Sequence, residues 1–229
     1  MKSKHQAKQK QKSVVLSPTV YIKTKTKDLP YGICYSTYDE YHNESNSGLD
    51  TVIVSRIMPS GKLIVGMYLM DLYCLGIKNT VFKFAMTTDE FNEFVEMVQT
   101  QERRDFFEIE PSMAANLVFG GLDYAEQLGF RPEKDWAVTK YIVDEDLITE
   151  DIDNIEFGQN GKPLFIQGPY DNVKMVLATL NKNVGEGNYE YVMMLGGNDN
   201  FEFLDGDFNE DDEEEDDDFD DAEVVEEKK

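Results

Sequence analysis

Hydrophobic and polar positions along this chain change period twice, and the changes predict an antiparallel sheet followed by helices. The longest apolar tract, residues 61–86 (GKLIVGMYLMDLYCLGIKNTVFKFAM), is rich in residues that suit a pleated, half-buried surface. Two runs, 51–57 and 62–70, flank Pro59-Ser60-Gly61 and predict a hairpin. Gly76 and Lys78-Asn79 are expected to break the second run, after which Phe82, Phe84 and Met86 alternate onto one face of a strand. Upstream, Ile33 and Tyr35 have strand spacing, and residues 42–48 (HNESNSG) read as a loop.

From Thr87 the period becomes helical. Thr87 with Glu90 makes a capping box, and Phe91, Phe94, Val95 and Val98 form an amphipathic stripe. A second helix starts at Pro111, buries Ala114, Leu117, Val118, Gly121, Ala125 and Leu128, and ends at Gly129. Ala115, Gly120 and Gly121 permit close approach of a neighbouring element. Asp135 is expected to cap a short helix reaching about Glu145, and residues 144–154 read as an acidic connector. Asn160-Gly161 predicts a hairpin over 155–166 with Pro163 on an edge strand. A last helix from about Pro169 buries Val173, Val176, Leu177 and Leu180, and residues 189–195 predict a final strand.

These elements predict an α+β fold, a mainly antiparallel sheet of about 5–7 strands packed against 3–4 helices. The tails alter the picture through charge. Of the net −24, residues 1–27 hold eight Lys and no acid, whereas 205–229 hold 16 acids and two Lys. Residues 28–204 hold 30 acids against 12 basic residues, so the body itself carries −18. We therefore expect a basic, mostly disordered arm over 1–27, a single domain over 28–197 and an acidic disordered tail over 198–229. Such tails cannot bury enough surface to offset ordering entropy.

An acidic body repels nucleic-acid phosphates and anionic lipids and attracts cations, over a reach of about 8 Å at physiological salt. Two cysteines, Cys34 and Cys74, are too few for a disulfide framework. No apolar core of signal-peptide length follows the basic N-terminus, and residues 63–77 are too short and too interrupted to span a membrane. These features predict a cytoplasmic protein with reduced thiols and no membrane partner.

Candidate chemistry is sparse. Asp71 sits in an apolar strand and Cys74 follows it, with Lys78 close by, so a hydrolase-type pocket is one reading. The competing reading has Asp71 bonding turn amides and Cys74 packed as a small hydrophobe. The histidines, His5 and His42, fall in polar stretches away from any thiol. No cofactor motif and no zinc spacing occurs; Asp205, Asp207 and Asn209 imitate a calcium loop but Glu210 replaces its glycine, and Asp151 and Asp153 suit a solvated connector. Tyr31, Tyr35, Tyr38 and Tyr41 lack the basic neighbours of a base-stacking platform. The tail places Phe203, Phe208 and Phe219 among Glu213, Glu214, Glu215, Asp216, Asp217 and Asp218, a composition suited to a basic, partly apolar protein surface. Lys2, Lys4, Lys8, Lys10, Lys12, Lys23, Lys25 and Lys27 suit RNA phosphates, or the protein's own acids.

The strings YLMDLYCLGIKNTVF, GGLDYAEQLGFRPEKDW and IEFGQNGKPLFIQGP, over about residues 50–170, resemble a bacterial family without an assigned activity. In it a VDLYCLGVKD-type strand precedes an AEDLGFxPHKD-type helix end; this chain has Glu133 where that pattern has His. The resemblance implies one compact bacterial domain. The sequence thus favours a non-enzymatic acidic protein engaging a basic partner, as a chaperone-like protein or a nucleic-acid mimic. A hydrolase around Asp71 and Cys74, and an RNA binder acting through the arm, are the alternatives.

Overall fold

A computed structural model describes residues 16–38, 48–149 and 155–193. The strands β1 (Cys34–Ser36), β2 (Leu49–Ile57), β3 (Leu63–Asp71), β4 (Gly76–Met86) and β5 (Phe107–Ile109) form an antiparallel sheet in the order β4-β3-β2-β1-β5. Helices α1 (Pro18–Lys25), α2 (Thr88–Glu102), α3 (Pro111–Gln127), α4 (Trp136–Thr139) and α5 (Val173–Asn183) complete the α+β architecture with β6 (Leu164–Ile166) and β7 (Glu190–Val192).

The period-2 alternation of β2 and β3 divides their side chains between two cores. Val52, Val54, Ile64, Tyr68 and Met70 join the α3 residues Ala114, Leu117 and Val118 in the larger one. Ile53, Leu63 and Val65 meet Phe91, Phe94, Val95 and Val98 of α2 in the other. The central strands are therefore covered on both sides, which explains why every residue of β2 between its ends is buried. The capping box fixes the start of α2: the Thr87 side chain accepts from the Glu90 amide while Glu90 accepts from the Thr87 amide. Such a cap contributes about 1 kcal/mol. Gly129, at φ +92°, ends the last turn of α3 as expected.

Close approach at the glycines of α3 is observed. A Cβ on Gly121 would lie 2.8 Å from Met70 Cε, and one on Gly120 would lie 2.4 Å from Phe157. Beyond the hairpin end of the sheet, Cys74, Leu128, Phe165, Val176 and Leu180 build a smaller cluster under α5.

Four expectations are corrected. Lys78 and Asn79 do not break the sheet: Asn79 pairs with Leu69 inside β4, and Lys78 is held by the Asp171 carboxylate. Residues 18–27, assigned to the arm, are helical from Pro18 to Lys25 with Ile22 wholly buried; the KTKTK alternation hid one apolar anchor among charges. Asp135 has helical dihedrals and makes no side-chain cap, and α4 stops at Thr139. Finally, Asn160 (φ 52°) and Gly161 (φ 76°) form the expected turn, closed by the Gln159–Lys162 bridge. No hairpin extends from it: β6 pairs in parallel with β7, while Ile155 enters the larger core and Phe157 packs on Tyr124 of α3.

Candidate functional site

Asp71 ends β3 and the four-residue turn 72–75 leads into β4. Its Oδ1 accepts from the backbone N–H groups of Tyr73 (3.1 Å) and Cys74 (3.0 Å). The side chain is therefore the internal brace of a tight turn. Burial raises its pKa to about 6, against the opposing pull of Lys78 and the turn amides. Cys74 is wholly buried among Leu128, Phe165, Val176 and Leu180, and burial pushes its thiol far above the ordinary range. A thiol held neutral and covered is inert as a nucleophile. Cys34 is likewise buried and raised to about 11, chiefly by desolvation.

Lys78 turns elsewhere. Its Nζ lies 2.7 Å from Asp171 Oδ2, which also accepts from the Gly168 amide at 2.7 Å. Lys78 and Asp171 line a cleft of about 260 Å³ together with Arg131 and Glu133. Asp71, Cys74 and Lys78 are neighbours in sequence that face a turn, a core and a cleft. Glu133 Oε2 accepts from the Asp135 amide at 2.8 Å, a local structural bond.

Lys23, Lys25 and Lys27 are exposed, and Lys27 pairs with Asp146 (2.7 Å) and Asp144 (3.7 Å), so that part of the basic stretch is folded onto the protein's own acids. Tyr31 and Tyr38 pack with the larger core whereas Tyr35 lies across the sheet against Phe91, so these tyrosines form no common platform. Lys2, Lys4, Lys8, Lys10, Lys12, Tyr41, Asp151 and Asp153 lie outside the described residues, as do Phe203, Phe208, 213–219 and the calcium-like positions of the tail.

One further buried charge is structural. Asp50 Oδ1 receives Thr37 Oγ1 (3.0 Å) and Arg104 Nη2 (2.9 Å), while Arg104 Nη1 donates to the Leu49 carbonyl. Oδ2 of Asp50 is buried without a hydrogen-bond partner among the described residues, and burial raises the pKa of this carboxyl although Arg104 opposes it.

The surface feature that the periodicity did not announce is a groove of about 430 Å³ between residues 83–86 and α2. β4 is an edge strand, and a register shift separates its pairs Lys83–Val65 and Met86–Leu63. Ala85 there adopts φ +58°, a left-handed conformation of the kind found in G1-type bulges. The bulge terminates ordinary edge pairing and turns Met86 to the α2 side, while Phe82 and Phe84 pack against the larger core. The three therefore do not share one face as expected, and the apolar floor is made by Met86, Phe94 and Met97. Glu90 and Glu93 stand on its rim, with Lys83 opposite. The available signal was Met97, an apolar residue off the buried stripe of α2 that is 47% exposed.

These features define an α+β domain whose described thiols and buried acids are committed to structure and whose open surface is grooved and acidic. Comparison with protein-family models, with curated proteins and with solved structures gives no match. Among the described residues no helix is long and apolar enough to cross a membrane, and no three His, Cys, Asp or Glu side chains gather as a metal site.

Proposed function

We propose that this chain is a non-enzymatic acidic interaction protein that holds a basic partner, in a chaperone-like or nucleic-acid-mimicking role. The observation that carries the reading is the groove beside α2, where an apolar floor lies under a carboxylate rim. An apolar side chain seated on Met86, Phe94 and Met97 contributes about 1.5–3 kcal/mol. Each exposed rim carboxylate adds about 0.2–1 kcal/mol to a cationic neighbour. Affinity thus comes from the apolar anchor, while orientation and encounter rate come from charge. The occupant is a protein segment with lysine or arginine flanking a bulky apolar residue. The −18 body and the Phe-bearing acidic tail support the same partner chemistry. The two free cysteines support a reducing, cytoplasmic setting.

A lysine/leucine amphipathic peptide titrated against the full chain tests this. Met97→Ala and Glu93→Gln should weaken binding about fivefold or more, and a chain ending at residue 204 should lose much of the salt dependence. Asp123→Asn with Glu126→Gln, on the exposed face of α3, serves as the control for charge alone. If the α2 pair and the α3 pair behave identically, the groove is not the binding surface.

A further inference from the structure

Arg56 presents a different problem from the acidic surface around it. It lies on β2 with 2% of its surface exposed, and its guanidinium carbon sits 3.5 Å from the centre of the Tyr31 ring. Its acceptors are neutral: Nε donates to the Ile142 carbonyl (2.7 Å), Nη1 to the Leu29 carbonyl (2.8 Å) and Nη2 to the Tyr31 hydroxyl (2.7 Å). One N–H on each terminal nitrogen is left without an acceptor among the described residues. Arg56 also makes no ion pair among them: Asp144, the neighbouring acid, pairs with Lys27 instead. A buried cation whose direct bonds all go to dipoles, with Asp144 acting on it only at longer range, bears a desolvation cost that a counter-ion in contact would relieve.

Arg56 lines a cleft of about 280 Å³. Lys27, Lys140, Asp144 and Glu145 stand around it, and Phe119, Tyr141 and Val143 supply an apolar wall. With Lys27 committed to Asp144 and Asp146, Arg56 and Lys140 are the cations without a carboxylate partner among the described residues. Distant body charges beyond about 8 Å are largely screened, and of the two carboxylates lining the cleft Asp144 is paired with Lys27, leaving Glu145 against Arg56 and Lys140. Two free N–H groups on one planar guanidinium match two oxygens of a carboxylate or phosphate.

We propose that this cleft binds a small organic oxyanion, its carboxylate or phosphate head on Arg56 and Lys140 and its apolar body against Phe119, Tyr141 and Val143. The site is distinct from the groove beside α2 and stands whether or not that groove holds a protein.

Thermal unfolding of the full chain with phenyl phosphate, benzoate or uncharged benzyl alcohol, at fixed ionic strength in sodium chloride, tests it. At least one of the two anions should raise the midpoint saturably by a few degrees, and benzyl alcohol should not; which anion acts identifies the head group. Lys140→Ala, an exposed position, should raise the apparent dissociation constant about tenfold while leaving the ligand-free midpoint within about a degree. Because that variant retains the basic arm, its loss of affinity separates the cleft from diffuse anion binding by Lys2–Lys27. Arg56→Lys, which keeps the charge and loses the fork, should abolish the shift; the Lys140 arm decides the matter if this variant does not fold. No saturable shift with either anion, equal shifts in wild type and Lys140→Ala, or an equal shift with benzyl alcohol would overturn the proposal.

Discussion

Replacing Gly76 by Ala is the sharpest test of how the sheet and α3 are joined. Gly76 opens β4 opposite Asp71, with φ +66°. A Cβ there would lie 2.6 Å from Ala125 Cβ and 2.9 Å from the Gly121 carbonyl oxygen, an obstacle of helix backbone that no rotamer can relieve. The left-handed conformation costs a non-glycine residue about 1–2 kcal/mol, and overpacking against a fixed neighbour about 1–3 kcal/mol more. We expect a loss of about 3 kcal/mol, which is about 6–12 °C in midpoint for a domain of this size. Gly61 supplies the control, since it has φ +78° with nothing within 4 Å of an added Cβ. Gly61→Ala should therefore lose only the conformational part, about 1–2 kcal/mol. Gly121→Ala probes the same junction from the helix. Its Cβ would meet the mobile Met70 Cε, and the gain in helix propensity of about 1 kcal/mol offsets part of the clash. Urea unfolding followed by circular dichroism, with unchanged m-values, reads all three. Equal losses at Gly76 and Gly61 would show that the contact between β4 and α3 is not what demands glycine.

Asp71 should make stability depend on pH. Its folded-state pKa is raised from 3.8 to about 6, so the stabilisation is complete below about pH 4 and is lost as pH rises through about 6. At about 1.4 kcal/mol per pH unit the window holds about 3 kcal/mol. Asp71→Asn still accepts the two turn amides and should lack this slope; urea midpoints at pH 4.5 and 7.5 that move equally in both proteins would refute the assignment. Arg104→Met leaves Asp50 buried without its cation and should cost about 2–3 kcal/mol, with Asp50→Asn restoring part of it in a double-mutant cycle. Ala85→Gly relieves a left-handed alanine at the bulge and should raise stability by about 1 kcal/mol; an unchanged urea midpoint would show that Ala85 bears no such strain. A thiol-reactive probe at pH 7.5 should modify Cys34 and Cys74 only after unfolding, and rapid native labelling of Cys74 would restore the hydrolase reading.

Local pattern was a good guide where each residue's neighbours along the chain decide its conformation. The hairpin at Pro59-Ser60-Gly61, the Thr87–Glu90 cap, the run of α3 from Pro111 to Gly129 and the Asn160-Gly161 turn were all legible. Those features depend on dihedral preference and on bonds between residues at most a few positions apart. The candidate site was legible only as a pair of alternatives, because proximity in sequence does not say whether side chains converge in space; Asp71 on the turn amides and Cys74 in the core match the second of them. Asp71, Cys74 and Lys78 lie within eight residues, yet Lys78 finds its partner 93 positions away at Asp171.

The sequence by itself determined the α+β class, the two apolar runs of the central hairpin and the acidic character of the body. Tertiary structure alone decided which element covers each face, that β6 joins β7, that Ile22 draws α1 into the core, and that Arg56 lies buried beneath a cleft with no ion pair of its own among the described residues. The physical reason is that periodicity states which side of a strand must leave water, whereas the identity of what replaces the water is settled by contacts between residues far apart in the chain. Arg56 meets Ile142 across 86 positions, and no local preference of either residue encodes that meeting.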